Sequence, residues 1–218
     1  MIKAIIFDMD GVIVDSIPMH LKIWKKMFNK RGIKFSNKIF EKYNGTSTYE
    51  IGKSLIEEFN LDETPDDIVK EKLDYELIYR EKEIKLFKES VDVLKKLKKQ
   101  GYKIALATGS KRSILDFIIN KFKIDKYFDA IAHTEEVKNS KPAPDIFLLA
   151  AKKIKVDPKY CVVIEDAVNG IIAAKKASMK SVAITTTFKK KVFLKKSDYI
   201  VDSLIDLFEV LEELKCVE

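Results

Sequence analysis

The stretch Ile5-Ile6-Phe7-Asp8-Met9-Asp10-Gly11-Val12-Ile13-Val14-Asp15-Ser16 constrains this chain more than any other. A short, unbroken apolar run is the pattern of a strand buried on both faces of a parallel sheet. The run stops abruptly at acids. In open parallel sheets ligands bind just beyond the carboxyl ends of the strands. Asp8 and Asp10, two apart in near-extended backbone, can converge on one site as the strand ends. Gly11 permits a sharp turn and leaves room for a ligand to approach the backbone. Asp and Gly also make ordinary surface turns, but carboxylates at the mouth of a buried strand are costly unless paired or metal-bound. The balance favours a site.

The rest of the chain supplies a sheet for this strand. Lys103-Ile104-Ala105-Leu106-Ala107, Ala130-Ile131-Ala132, Cys161-Val162-Val163-Ile164, Ser181-Val182-Ala183-Ile184 and Tyr199-Ile200-Val201 read as further strands. Amphipathic segments through Ile114, Phe117 and Ile118, from Asp145 to Ile154, through Ile171 and Ala174, and from Leu204 to Leu214 read as helices. Such alternation predicts an α/β fold, a doubly wound (Rossmann-like) parallel sheet with right-handed crossovers. Between Met19 and about Glu83 the period becomes helical. Ile23, Met27 and Phe28, then Ile51, Leu55 and Phe59, then Ile68, Leu73, Leu77 and Ile78 fall at helical spacing, with breaks at Gly32, Asn44-Gly45 and Asn60 to Pro65. No strand pattern interrupts this region, so a helical bundle is inserted after the first strand.

The later strand ends carry chemistry of their own. Thr108-Gly109-Ser110 offers backbone amides that, with a helix dipole, can receive a phosphate. Ser and Thr are also ordinary helix caps, and the two roles are compatible. Lys141 lies in Ser140-Lys141-Pro142-Ala143-Pro144-Asp145. A lysine is normally solvated, but a rigid proline-rich setting can aim its ammonium inward. Glu165-Asp166 ends the strand predicted beside the first, where carboxylates can complete an oxygen shell for Mg²⁺.

Composition narrows the partners. The net charge of +7 is carried almost wholly by lysine, with Arg31, Arg80 and Arg112 the only arginines. The lysines interleave with acids, as in Lys70-Glu71-Lys72 and Arg80-Glu81-Lys82-Glu83, which marks a solvated face rather than a nucleic-acid surface. A positive surface would draw anionic phosphate substrates inward. No apolar run approaches the ~20 residues of a membrane span. The first residues read as a strand and not as a signal peptide, and Cys161 and Cys216 show no metal-ligand spacing. A cytoplasmic monomer with neither a nucleic-acid nor a membrane partner is expected.

Taken in order, these segments resemble the motifs of the haloacid dehalogenase (HAD) superfamily, in its phosphatase and phosphomutase branch. Asp8 to Ser16 is similar to the first motif, Thr108 to the second, Lys141 to the third and Glu165-Asp166 to the fourth, so the resemblance spans nearly the whole chain. It implies Mg²⁺-dependent phosphoryl transfer from a small phosphorylated metabolite through an aspartyl-phosphate. Asp8 would be nucleophile and metal ligand, and Asp10 general acid, then base, and a ligand through its carbonyl. Asp166 would be a further ligand, and Glu165 a second metal-site acid acting through water or Lys141. Thr108 and Lys141, with Gly109 and Ser110, would hold the phosphoryl oxygens, and Asp15 would brace the loop. The resemblance also makes the helical bundle a mobile cap domain, residues 16–83, on a core of residues 1–15 and 84–218. Ser16-Ile17-Pro18 and a segment near Ile84-Lys85-Leu86-Phe87 would be its hinge strands.

Two stretches bear on the branch. Asp15 to Trp24 and Glu136 to Phe147 are similar to the β-phosphoglucomutases, which have a histidine at the place of His20 that assists the general acid. A His-Leu…Trp pattern opening an amphipathic helix is equally ordinary packing with a polar tip, and phosphatases of the branch can share it. On Asn44-Gly45-Thr46-Ser47-Thr48-Tyr49-Glu50 the mutases carry an arginine for the second phosphate, where this chain has Thr48. Threonine cannot supply a charged, bidentate fork. Lys72 falls near a cap lysine of the mutases, in a helix already rich in lysine. The expectation is a phosphohydrolase acting on a single phosphate, a sugar phosphate being one such substrate, with β-phosphoglucomutase activity as the alternative. A purely binding role would need a broken constellation, and no member is missing.

Overall fold

In the computed structural model, which describes residues 1–216, the elements run β1 (Ala4–Phe7), β2 (Val14–Asp15), α1 (Ile17–Asn29), α2 (Asn37–Tyr43), α3 (Thr48–Phe59), α4 (Pro65–Glu83), β3 (Lys85–Leu86), α5 (Ser90–Lys99), β4 (Lys103–Thr108), α6 (Arg112–Phe122), β5 (Ala130–His133), α7 (Asp145–Ile154), β6 (Cys161–Glu165), α8 (Val168–Lys176), β7 (Lys180–Ile184), β8 (Tyr199–Val201) and α9 (Leu207–Cys216). Six strands form one sheet in the order β5-β4-β1-β6-β7-β8, and every pairing in it is parallel. The expected doubly wound α/β fold is what this chain adopts.

The winding explains where a ligand can sit. From β1 the chain moves outward to β4 and β5, then crosses to β6, β7 and β8 on the other side. The carboxyl ends of β4, β1 and β6 therefore flank the point where winding reverses, the usual binding crevice of open α/β sheets. Phe7 is in register with Leu106 and with Ile164, so one residue later Asp8 comes level with Glu165. All four β1 side chains are buried, which answers the unbroken apolar run. Ile5 and Phe7 join the core that holds Leu94, Leu97 and Ile118. Ala4 and Ile6 join the other, against Ile146 and Phe147 of α7. Each large apolar side chain so buried contributes about 1.5–3 kcal/mol.

The helical insertion enters and leaves through a two-stranded antiparallel pair, Val14 with Leu86 and Asp15 with Lys85. Of the two segments expected to be strands here, the second is strand at Lys85–Leu86 and the first is not. Ser16-Ile17-Pro18 is not strand. The strand is Val14–Asp15, and the chain is already helical at Ile17, with Pro18 in the first turn, where a missing N–H is harmless. Ser47 caps α3 by accepting from the Glu50 amide, and Thr64 forms a capping box with Asp67 before α4. Trp24, Phe28, Phe35 and Phe59 pack ring against ring inside the insertion.

Two further expectations shift. Leu77 and Ile78, at helical spacing in the sequence, are 48% and 65% exposed. The buried face of α4 is taken by Ile68, Val69, Lys72 and Glu76 instead. The last helix starts at Leu207 rather than Leu204, because the Asp206 carboxylate accepts from the Ser203 amide and holds a turn there. Leu204 is buried all the same. No helix among the described residues is long and apolar enough to cross a membrane.

Candidate active site

The ends of β1 and β6 bring Asp8, Glu165 and Asp166 together, all buried, and the loop before α7 lays Lys141 among them. Lys141 Nζ donates to Asp8 Oδ1 at 2.6 Å and to Glu165 Oε1 at 2.5 Å. The other Glu165 oxygen accepts from the Ala167 amide at 3.0 Å. Asp166 accepts from the Thr187 hydroxyl. Gly11, at φ +78°, lies so close to Asp166 that a Cβ there would overlap the carboxylate. The tight turn predicted from Asp10-Gly11 thus serves this packing.

Three buried carboxylates crowd one ammonium, and the imbalance shows in the protonation of Asp8 and Asp166. Burial pushes Asp8 up to about 7; Glu165 and Asp10 add to the rise and Lys141 opposes it. Asp166 is driven well above the ordinary carboxylate range by burial, then by Glu165 and Asp8. Burial works against the charged form of Lys141, but Asp8 and Glu165 outweigh it and raise that pKa. One oxygen of each acid lies within 4.8 Å of the others. An all-oxygen donor set with surplus negative charge suits a hard divalent cation.

Asp10 is held separately. Its Oδ1 accepts from the Ser16 hydroxyl at 2.5 Å and lies 3.3 Å from His20 Nε2, while Oδ2 accepts from the Ser110 hydroxyl at 2.7 Å. Burial alone would raise Asp10, but the hydrogen bonds from His20, Ser16 and Ser110 hold it far below the ordinary range. Its carboxylate therefore faces the start of α1 and stands outside the acid cluster; only its main-chain carbonyl is left for a metal. Burial and Lys72 would lower His20, but Asp10 and Glu76 outweigh them and raise it.

Thr108 is fully buried, and its hydroxyl accepts from the Ser110 amide at 3.0 Å. The segment stops short of a helix, since α6 begins at Arg112. Gly109 and Ser110 line a cavity of about 70 Å³ that also touches Asp8, Asp10, Lys141 and Asp166. From the insertion, His20, Thr48 and Lys72 reach the same cavity, beside Trp24, Phe40 and Ile51. Of the candidate residues read from the sequence, all but Thr108 and Glu165 line this cavity; those two are buried behind it, Thr108 bonded to Ser110 and Glu165 to Lys141.

Some neighbours escaped sequence reasoning. Thr187, on Asp166, and Thr186, whose hydroxyl donates to the Gly11 carbonyl at 2.5 Å, follow β7. Their signal was a hydroxyl run after a buried strand, the same one that marked Thr108. Glu76 carried a weaker signal, a place four residues after Lys72. Asn169, which donates to the Asn44 carbonyl at 3.0 Å across 125 positions of chain, had none.

Strand-end carboxylates and a buried ammonium thus gather beneath a helix-roofed cavity at one end of a doubly wound sheet. The chain belongs to the haloacid dehalogenase-like hydrolases, the family whose model matches residues 5–184. A fructose-1-phosphate phosphatase of Escherichia coli is 35% identical over 185 residues, covering 83% of this chain and 95% of that protein. The β-phosphoglucomutase of Bacillus subtilis is 32% identical over 193 residues, covering 84% and 83%. Among solved structures, β-phosphoglucomutase from Clostridium difficile superposes with a TM-score of 0.85 at 34% identity, covering 98% of this chain and 96% of that one.

Proposed function

We propose that this protein is a Mg²⁺-dependent phosphohydrolase that releases phosphate from a small phosphorylated metabolite through an aspartyl-phosphate on Asp8. The observation that carries this is the separation of two acids: Asp8 sits in the cluster with Lys141, and Asp10 is bonded to Ser16, Ser110 and His20. A nucleophile and a proton-transfer group need such unlike surroundings. Asp8 and Asp166, with the Asp10 carbonyl and Glu165 adjoining, would hold Mg²⁺, which would supply charge neutralisation for the transferring phosphoryl group.

The remaining work falls to the chain itself. An Asp8 oxygen forms a bond to phosphorus as the ester P–O bond breaks, with Lys141, the Thr108 hydroxyl and the Gly109 amide holding the phosphoryl oxygens, and the Ser110 amide, bonded to the Thr108 oxygen, orienting that hydroxyl. His20 carries a proton and faces Asp10 across 3.3 Å. The proton passes through Asp10 to the leaving oxygen. Asp10 then takes a proton from the incoming water, which attacks phosphorus and frees Asp8. Residues 16–83 act as a cap that closes over the core, residues 1–15 and 84–218, and excludes bulk water.

The Escherichia coli relative's name favours a sugar phosphate as substrate. The His20–Asp10 contact and the likeness to β-phosphoglucomutases favour a second reading, the mutase. Thr48 weighs against it, because that cavity wall lacks a fork for a second phosphate. The test supplies Mg²⁺ with fructose 1-phosphate, or β-glucose 1-phosphate with a trace of glucose 1,6-bisphosphate. Free phosphate and glucose 6-phosphate are followed together. Free phosphate without isomerisation is expected; fast glucose 6-phosphate formation with little free phosphate would establish the mutase instead.

A further inference from the structure

Helix α4 buries an ion pair where a helix of this kind would bury leucines. Lys72 and Glu76, one turn apart, are each 6% exposed, and the ammonium donates to the carboxylate. Lys72 and Lys141 are the lysines in the cavity wall, and Lys141 is already engaged by Asp8 and Glu165. On the roof, then, Lys72 is the cation available to a substrate, and Glu76 consumes it. Burial would raise the Glu76 carboxyl, but Lys72 and His20 bring it down to about 2, so it is an anion at neutral pH. Its Oε1 also stands 3.3 Å from His20 Nδ1, on the side of the ring away from Asp10. The rest of the roof, Trp24, Phe40, Ile51 and Thr48, is uncharged.

We propose that Glu76 determines specificity: by neutralising Lys72 it restricts the substrate to monophosphate esters of uncharged alcohols or sugars, and excludes those bearing a second phosphate or a carboxylate. This rests on the phosphohydrolase reading. Among the described residues that line this cavity a second anion meets no unpaired lysine or arginine, Lys111 lying in the adjoining pocket, and it comes near the Glu76 carboxylate, so its lost hydration goes uncompensated. A hydroxyl group loses far less. Trp24, Phe40 and Ile51 line the space that the leaving group enters.

Two esters isolate the effect. 2-Hydroxyethyl phosphate and phosphoglycolate differ only in a terminal CH₂OH or COO⁻. The ratio of their kcat/KM values is measured with Mg²⁺ for the wild type, Glu76→Gln, Glu76→Met and Lys72→Met. The wild type should favour the neutral ester about tenfold or more. Both Glu76 variants should move the ratio toward phosphoglycolate by about ten- to a hundredfold, the range for a hydrogen bond to a freed charge. Lys72→Met should not move it that way. Overall loss of fold or rate lowers both substrates alike and leaves the ratio still. A wild type without preference overturns the proposal even if no variant folds, and so does an unchanged ratio in folded, active Glu76 variants. A wild type that releases phosphate from no ester overturns the phosphohydrolase reading, and this inference with it.

Discussion

Replacing Asp8 by Asn should make the metal-free protein more stable while abolishing its turnover. Asp8 is nearly isosteric with Asn, and its carboxyl is raised in the folded protein from an ordinary 3.8 to about 7. The folded state therefore binds the Asp8 proton more tightly than the unfolded chain does. Below about pH 4 the carboxyl is protonated in both states and exacts no penalty. Between pH 4 and 7 the penalty grows, and above 7 it is complete. At roughly 1.4 kcal/mol for each pH unit, the ceiling is about 4 kcal/mol. Lys141 loses one of its two carboxylates in the variant, so about half that gain, ~2 kcal/mol, is expected near pH 8. For a chain of this size that is a rise in Tm of about 4–8 °C. The assay is thermal and urea unfolding of both proteins in chelator from pH 4 to 8. The gain should shrink toward zero at the acid end, and with Mg²⁺ present, because a bound cation offsets the same penalty of a buried charge in the wild type. A variant no more stable than wild type at pH 8, or a gain that persists unchanged at pH 4, would refute the reasoning.

Other outcomes follow from the same geometry. Excess chelator should silence phosphate release, and added Mg²⁺ should restore it; full activity in chelator would remove the metal from the reaction. His20→Ala should slow hydrolysis of an alkyl phosphate about a hundredfold but p-nitrophenyl phosphate far less, since a good leaving group needs no proton. Equal losses on both esters would take His20 out of proton transfer. His20 is raised above 6.5, so the rate on alkyl phosphates should hold through that pH and fall only as pH rises past the raised value; a fall already complete by pH 6.5 would contradict the Asp10 and Glu76 contacts. Burial pushes the Cys161 thiol up to about 12, while Cys216 is exposed. A thiol reagent at pH 8 should therefore label one cysteine in the native protein and both in denaturant.

The floor of the site was legible because it is written in strand ends. An unbroken apolar run ending in Asp8, another ending in Glu165-Asp166 and a third ending in Thr108 each announce a residue at the mouth of a sheet, and the parallel topology gathers them. Lys141 was legible through its proline-rich setting and the family resemblance. The roof was harder. Leu77 and Ile78 kept helical period yet face solvent, and the charged Lys72 and Glu76 took the buried positions, which periodicity reads as surface. Such a pair is stabilised by its mutual contact and by His20, a residue more than 50 positions away, which local pattern cannot supply. The first hinge strand was displaced for a local reason: Pro18 favours a helix start over a strand, and so moves the pairing back to Val14–Asp15.

The pairing of Val14 with Leu86 has a wider consequence. The chain departs for its helical excursion and comes home at the same doorstep, so the sheet beneath is indifferent to how long the detour is. Doubling such a loop costs only about 0.6 kcal/mol in closure entropy. Whole helices can be lengthened, exchanged or redrawn between those two residues without disturbing Asp8, Lys141 or Asp166. Ser16 and His20, at the start of α1, touch Asp10 and are the part of the excursion that must stay fixed; what lies beyond them is free to vary.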